Sequence, residues 1–205
     1  KLPDEARANV RQLMGAELGP LPETRGMVAA LGKLYGPEHS RLYLGADASE
    51  DRLKAEASKC RILQIAAHGI VNNTSPMYSQ IVLSRPAGSL DDGTLEAWEV
   101  LNLDLNADLV VLTACETARG RVGAGEGMIG LTWAFFVAGC PTTVATQWKV
   151  EAESTTPLMV EFHRNLLAGV GKSEALRRAE LKVMRTKQYA HPFYWAGFVI
   201  VGSDR

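Results

Sequence analysis

Hydrophobic residues in this chain follow two alternating patterns, short continuous runs and longer stretches with helical spacing. Short, mostly aliphatic runs such as Arg61–Ala66 and Leu109–Leu112 are typical of buried strands. Longer stretches such as Glu23–Tyr35, with apolar residues on one side, are typical of amphipathic helices. These patterns predict strands over 41–44, 61–66, 79–84, 109–112, 142–146 and 194–201, and helices over 4–14, 23–35, 50–58, 94–101, 128–138, 153–167 and 173–186.

Strands and helices alternate along the chain, and this order sets the expected fold class. It predicts an α/β fold with a mostly parallel central sheet and helices on both faces. With 205 residues, 46% of them hydrophobic, the chain is long enough for one such domain with a full core. The polar stretch over 1–19 is followed by prolines. We therefore expect an N-terminal extension or insertion over 1–20 and a domain over 21–205.

Charge and cysteine content argue against several classes of protein. The net charge of −1 gives no support for binding to nucleic acid or to a membrane surface, and no apolar run has the length of a membrane span. Three cysteines, Cys60, Cys115 and Cys140, are an odd number without metal-ligand spacing, which indicates free thiols in a reducing compartment. We expect a cytoplasmic protein without a metal or other cofactor, in which Cys60 and Cys140 are packing residues.

Candidate chemistry lies where two of the predicted strands end. The run Leu109–Leu112 leads into Cys115, and the run Arg61–Ala66 leads into His68. The carboxyl ends of parallel strands are where α/β sheets place ligands. His68 and Cys115 are 47 residues apart, which fits the order found in caspases, a His followed about 50 residues later by the Cys. A neutral imidazole beside a thiol can generate the nucleophilic thiolate, while the alternative is a buried structural Cys and a hydrogen-bonded His.

Other conspicuous residues fit structural roles better. The segment Gly171-Lys172-Ser173 resembles the end of a phosphate-binding loop, but Leu166 stands where that loop requires a glycine. We expect Ser173 to cap a helix and Lys172 to be solvated. Four glycines between residues 118 and 127 predict a mobile loop beside Cys115. Solvated, packing or edge roles are expected for the remaining histidines, His39, His163 and His191.

Several ordered segments resemble the CHAT domain, a caspase-like family of cysteine peptidases often attached to tetratricopeptide repeats. They are ILQIAAHG, DGTLEAWEVLNLDLNADLVVLTACETARG, GEGMIGLTWAFFVAG, TTVATQW and HPFYWAGFVIVG. The resemblance runs from about Leu21 to Gly202. It implies a caspase-like three-layer sandwich in the clan of caspases, separases and gingipains. CHAT domains usually begin with a strand ahead of the helix near Glu23, and this resemblance places that strand upstream of Lys1.

The resemblance also implies roles for individual residues. His68 is the expected general base or acid and Cys115 the expected nucleophile, while the backbone N–H groups of Gly69 and Cys115 form the expected oxyanion hole. The strand leading to Gln147 and Trp148 resembles the one that pairs with an extended substrate. Glu116 is a further candidate for shaping the substrate pocket, with a solvated surface role left open.

The implied function is a cysteine endopeptidase that cleaves a protein or peptide and is regulated by an attached or separate repeat domain. The family often acts in bacterial defence or programmed death, so a bacterial, cytoplasmic role is the implied setting. Two alternatives remain open. One is a catalytically silent caspase-like module that binds a partner protein, and the other is a flavodoxin-like ligand-binding domain.

Overall fold

Two β-sheets organise the part of the chain that this computed structural model describes, which comprises residues 18, 21–72, 75–113, 126–148 and 150–204. Of residues 126–129 only the backbone is described. The strands in these ranges are β1 (Ile62–Ile65), β2 (His68–Ile70), β3 (Gln80–Val82), β4 (Thr94–Glu96), β5 (Leu109–Leu112), β6 (Thr142–Thr146) and β7 (Phe198–Gly202). The helices are α1 (Pro22–Tyr35), α2 (Glu50–Glu56), α3 (Ala97–Val100), α4 (Glu126–Val137), α5 (Ala152–Leu167) and α6 (Lys172–Met184).

The larger sheet is mostly parallel. Its strand order is β1-β5-β6-β7, with β1, β5 and β6 parallel and β7 antiparallel to β6. The smaller sheet is antiparallel, in the order β2-β3-β4. The structure therefore confirms the predicted mixed α/β architecture with a mostly parallel sheet.

Two hydrophobic clusters lie on opposite faces of the larger sheet, because neighbouring side chains of a strand point in opposite directions. All four residues of β5 are buried. Val110 and Leu112 pack in the cluster that contains Phe135 of α4. Leu109 and Val111 pack in the cluster formed with α1, α5 and α6. Helices thus cover both faces, as the continuous apolar runs predict.

Helix α2 begins where the sequence indicates a cap. The Ser49 side chain accepts a hydrogen bond from the Arg52 backbone N–H at 3.2 Å, which satisfies one of the free donors in the first turn. The last turn tightens into a 3₁₀ helix over Ala57–Lys59, so the predicted end near residue 58 is also confirmed.

Residues 41–44, predicted as a strand, do not form one. Among the described residues β1 pairs only with β5, so its outer edge has no strand beside it that could continue the ladder to 41–44. Leu42 lies against Gly32 instead, with 45% of its surface exposed. An extended segment becomes a strand only when a neighbour accepts and donates its backbone hydrogen bonds.

The small sheet corrects one further prediction, because the segment expected as a loop over 69–79 begins within β2. The short helix expected within 94–101 is present as α3, and the strand β4 precedes it. The last strand also starts later than expected, at Phe198, after a 3₁₀ turn over Pro192–Tyr194. Strands of three residues are too short for periodicity to reveal, and they form here because they pair with each other.

The helix expected from residue 173 begins one residue earlier, with Gly171 as its N-cap, so Ser173 is not the cap. Lys172 is not solvated either. Its side chain is buried, and its Nζ donates to Thr142 Oγ1 at 3.1 Å and to the Ser203 carbonyl at 3.4 Å. The start of β6 and the end of β7 supply oxygen acceptors there, which sequence spacing does not reveal. Lys172 is therefore a structural residue of this domain.

Candidate active site

The larger sheet brings the two segments that lead to the predicted catalytic residues to one edge. Strands β1 and β5 are adjacent and parallel, with Ile62 opposite Leu109 and Ile65 opposite Leu112. Each opposed pair is 47 residues apart, the same separation as His68 and Cys115. His68 follows the end of β1 by three residues, and Cys115 follows the end of β5 by three residues. The two chain segments therefore leave neighbouring strands at the same carboxyl edge.

Cys115 and Glu116 lie outside the described residues. So does the predicted glycine-rich loop over 118–127, except for its last two residues, which belong to α4. The described part of the β5 segment ends at Thr113, whose backbone N–H donates to the Ile65 carbonyl at 3.0 Å and continues the ladder by one residue.

His68 begins the small sheet rather than a loop. It is half-buried and lies opposite Val82 of β3, and Val82 in turn lies opposite Thr94 of β4. Alternate residues of the three strands have different environments. Gly69, Ile81 and Leu95 are buried on one face. The other face lines a groove with the partly exposed His68, Ile70, Gln80 and Val82 and with the buried Thr94 and Glu96. The imidazole is thus part of a wall that faces open space.

The groove has a volume of about 2470 Å³. Its walls come from α1, the segment over 40–49, the outer edge of β1 and the small sheet. It is wide enough for an extended peptide. It carries both apolar side chains and acidic ones, including Asp92 and Glu96. In the described part of the chain no three His, Cys, Asp or Glu side chains converge as metal ligands do.

Gln147 and Trp148 lie at the carboxyl end of β6, the strand next to β5. Gln147 is exposed, and its backbone N–H donates to the Gly197 carbonyl at 2.8 Å. Trp148 is half-buried and donates from its indole nitrogen to the Phe193 carbonyl at 3.0 Å. Trp148 therefore secures the turn ahead of β7, and Gln147 is the more accessible side chain of the two.

Sequence reasoning did not find the polar residue inside β1. Gln64 interrupts an otherwise apolar run, and its amide nitrogen donates to Thr113 Oγ1 at 3.0 Å. Its amide oxygen lies 3.1 Å from Nε2 of His163, a residue for which a solvated or packing role was expected. A polar side chain in the middle of a buried strand was the available signal, since buried polar groups need partners.

The family follows from comparison with known proteins. The CHAT domain model matches residues 2–203. This chain belongs to the CHAT domain family. The match confirms the resemblance drawn from the motifs around His68 and Cys115, and it covers every strand and helix described above.

This CHAT domain is also similar to two mammalian proteins, both named tetratricopeptide repeat protein 28. The mouse (Mus musculus) protein is 37% identical over 110 residues, which are 54% of this chain and 4% of the relative. The human (Homo sapiens) protein is 36% identical over 115 residues, which are 56% of this chain and 5% of the relative. The chain therefore corresponds to about a twentieth of the curated relatives it matches. Within its described residues, no helix combines the length and the apolar character needed to cross a membrane.

Proposed function

We propose that this CHAT domain is a caspase-like cysteine endopeptidase with Cys115 as nucleophile and His68 as general acid and base. The Cys115 thiolate attacks the scissile carbonyl carbon, and the π electrons move onto the carbonyl oxygen. When the tetrahedral intermediate collapses, the C–N bond breaks, the amine takes a proton from the His68 imidazolium, and a thioester remains. Water then gives a proton to His68, attacks the thioester and releases the acid product with the free thiol.

One observation carries this proposal, the register of β1 and β5. Because Ile65 lies opposite Leu112, the two strands that lead towards His68 and Cys115 end side by side at one edge of the sheet. A base and a nucleophile must come within hydrogen-bond reach for proton transfer, and this register is what a dyad on these two strands requires. The half-buried His68 beside a groove large enough for a peptide supports the same assignment.

The oxyanion hole and the substrate strand are proposed from the family resemblance. Backbone N–H groups of Gly69 and Cys115 are proposed to stabilise the oxyanion, where the loss of one donor costs about 2.7–4 kcal/mol of barrier. Strand β6 pairs with β7 over Thr142–Thr146 and with β5 at Thr143 and Val144. Among the described residues, the β5 side of β6 has no strand partner beyond Val144, and we propose that an extended substrate adds there, towards Gln147 and Trp148. Glu116 is proposed to shape the pocket.

The proposed setting follows the relatives and the composition. Both relatives are named for tetratricopeptide repeats, which supports an attached or separate repeat domain as the regulator of this domain. The cysteine content supports a reducing, cytoplasmic compartment. The relatives are mammalian, so a role in bacterial defence or cell death rests on the family resemblance alone.

The decisive experiment is cleavage of a peptide library by the wild type, Cys115→Ala and His68→Ala, with Cys60→Ala as the matched control. We expect each dyad substitution to lower kcat/KM by at least about 10³-fold, because each removes a group required for the acyl transfer. Cys60→Ala should leave cleavage unchanged, since burial raises the pKa of the Cys60 thiol. Cleavage that persists in Cys115→Ala would contradict the proposal.

The alternative is a catalytically silent module that binds a partner protein. The observation in its favour is that both relatives are named for repeats and not for an enzymatic activity. A cellular effect that survives Cys115→Ala would select this alternative. Binding of flavin or nucleotide in a thermal-shift screen would instead select the flavodoxin-like reading.

A further inference from the structure

A network of partly buried hydrogen bonds joins three elements and the residue after β5, and it ends at the carboxyl edge of β1 and β5. It joins Tyr35 of α1, His163 of α5, Gln64 of β1 and Thr113, which follows β5. The Tyr35 hydroxyl lies 2.9 Å from His163 Nδ1, and His163 Nε2 lies 3.1 Å from Gln64 Oε1. Gln64 Nε2 donates to Thr113 Oγ1 at 3.0 Å, and Thr113 Oγ1 donates to the Ile65 carbonyl at 3.3 Å.

The donors and acceptors available fix the direction of each hydrogen bond in this network. The Gln64 amide nitrogen also lies 3.4 Å from the Val111 carbonyl, which only accepts, so the amide oxygen must face His163. That oxygen also only accepts, so His163 carries its proton on Nε2 and accepts the Tyr35 hydroxyl on Nδ1. The network therefore runs one way, from the Tyr35 hydroxyl to the Ile65 carbonyl.

All the side chains of this network are neutral near pH 7, as the bond directions require. His163 is only 2% exposed, and burial lowers its pKa to about 4. Burial also raises the pKa of Tyr35 to about 12. The His163 ring is held further by edge contacts with Tyr35 and Phe162, with ring centroids 5.6 and 5.4 Å away. The imidazole is thus rigid, and it holds the Gln64 amide in one orientation.

The network ends where β1 and β5 end. The Ile65 carbonyl accepts both the backbone N–H and the hydroxyl of Thr113. Two hydrogen bonds instead of one therefore join the ends of β1 and β5. Strand ends fray, and a buried second bond opposes that motion. Ile65 precedes His68 by three residues, and Thr113 precedes Cys115 by two.

From this arrangement we infer that Tyr35, His163, Gln64 and Thr113 are positioning residues that clamp the carboxyl ends of β1 and β5 and thereby hold His68 and Cys115 in reactive register. The inference rests on the proposed peptidase function. Tyr35, Gln64 and His163 also line the groove. Their inferred role runs through Thr113 and the Ile65 carbonyl to the backbone that leads to the dyad, and KM is measured beside kcat to separate this role from direct substrate contact. A general base displaced by a fraction of an ångström loses much of its effect on the nucleophile.

The test measures the pH profile of Cys115 alkylation by iodoacetamide, followed by mass spectrometry of the Cys115 peptide, together with kcat and KM. The variants are Thr113→Val, which removes the hydroxyl, Thr113→Ser, which keeps it, and His163→Phe. The matched control is Thr155→Val, a buried threonine of α5 whose hydroxyl donates only within its own helix, to the Glu151 carbonyl at 2.7 Å.

We expect Thr113→Val and His163→Phe to raise the midpoint of Cys115 alkylation by about one pH unit and to lower kcat about tenfold, with KM within about twofold of wild type. Thr113→Ser should restore the wild-type midpoint. Thr155→Val should keep it, even though the thermal unfolding temperature falls. If His163→Phe does not fold, the Thr113 pair gives the same comparison.

The outcomes separate the inference from the function on which it rests. If the pH midpoint of Cys115 alkylation rises in His68→Ala but stays at the wild-type value in Thr113→Val, the positioning role is overturned and the dyad is left intact. Equal shifts in Thr113→Val and Thr155→Val also overturn it, because a general loss of packing would then explain both. The wild-type midpoint could also lie near the ordinary thiol value of about 8.5 and stay there in His68→Ala. That result overturns the dyad and the inference together.

Discussion

Glu180 on α6 is a single residue whose protonation should change the stability of the domain. Burial raises the pKa of its carboxyl group to about 7. Because burial disfavours the ionised carboxylate, the folded state is most stable below the unfolded pKa, where the group is protonated in both states. That advantage is lost as the pH rises through about 7. Glu180→Gln should therefore raise the unfolding temperature by roughly 2 °C at pH 8.5 and by less at pH 5, as measured by thermal denaturation.

Glu174 on the same helix provides a control of opposite sign. Hydrogen bonds from Arg177 and Arg178 lower the pKa of its carboxyl group to about 2, so its stabilising contribution is present at neutral pH and is lost as the pH falls through that value. Glu174→Gln should lower the unfolding temperature slightly at pH 8.5. Equal responses of the two variants across the pH range would contradict this account.

At the scale of elements, one buried carboxylate ties α2 to the turn before β4. Glu50 is 1% exposed, and it accepts the backbone N–H groups of Gly93 at 2.7 Å and Thr94 at 3.0 Å. Lys54, one turn further along α2, pairs with Glu50 at 2.7 Å and with Asp91 at 3.0 Å. This cluster fixes the position of the small sheet that begins with His68.

Truncation of Glu50 should be costly, because it removes the carboxylate that accepts the buried Gly93 N–H and one of the acceptors of the Thr94 N–H and of the Lys54 ammonium group, which keep Asp92 and Asp91. We expect Glu50→Ala to lower the free energy of unfolding by about 3 kcal/mol. Glu56→Ala on the same helix removes only surface ion pairs with Arg41 and Lys59 and should cost less than about 1 kcal/mol. Urea denaturation with an unchanged m-value would measure both. Similar costs for the two variants would show that Glu50 is not an anchor.

The sequence predicted the long elements well and the short ones poorly, for a physical reason. The runs that form β5 and β6 are buried on both faces. β5 is continuously apolar and β6 consists of Thr, Val and Ala, so composition marks both without knowledge of their partners. β4 and the segment over 41–44 depend on which neighbour is present, and local composition carries no information about that.

The same distinction applies to the candidate site. The sequence indicates His68 and Cys115 as candidates because both follow predicted buried parallel strands, whose carboxyl ends meet at one edge of a sheet. The network through Gln64 and His163 joins positions 99 residues apart, and only the fold brings them together. The burial of Lys172 was likewise invisible, since its acceptors lie on other elements.

At the scale of the whole molecule, the larger sheet separates two cores that have no side chain in common among the described residues. Phe135 of α4 is fully buried on one face and Phe162 of α5 on the other. We expect Phe135→Leu and Phe162→Leu each to lower the free energy of unfolding by about 1–2 kcal/mol, since each leaves a small cavity. Residues without common partners act independently, so the double variant should lose the sum within about 0.5 kcal/mol. Urea denaturation of the four proteins measures this coupling. A coupling above about 1 kcal/mol would mean that β5 and β6 transmit repacking from one face to the other, and the two cores would then have to be treated as one.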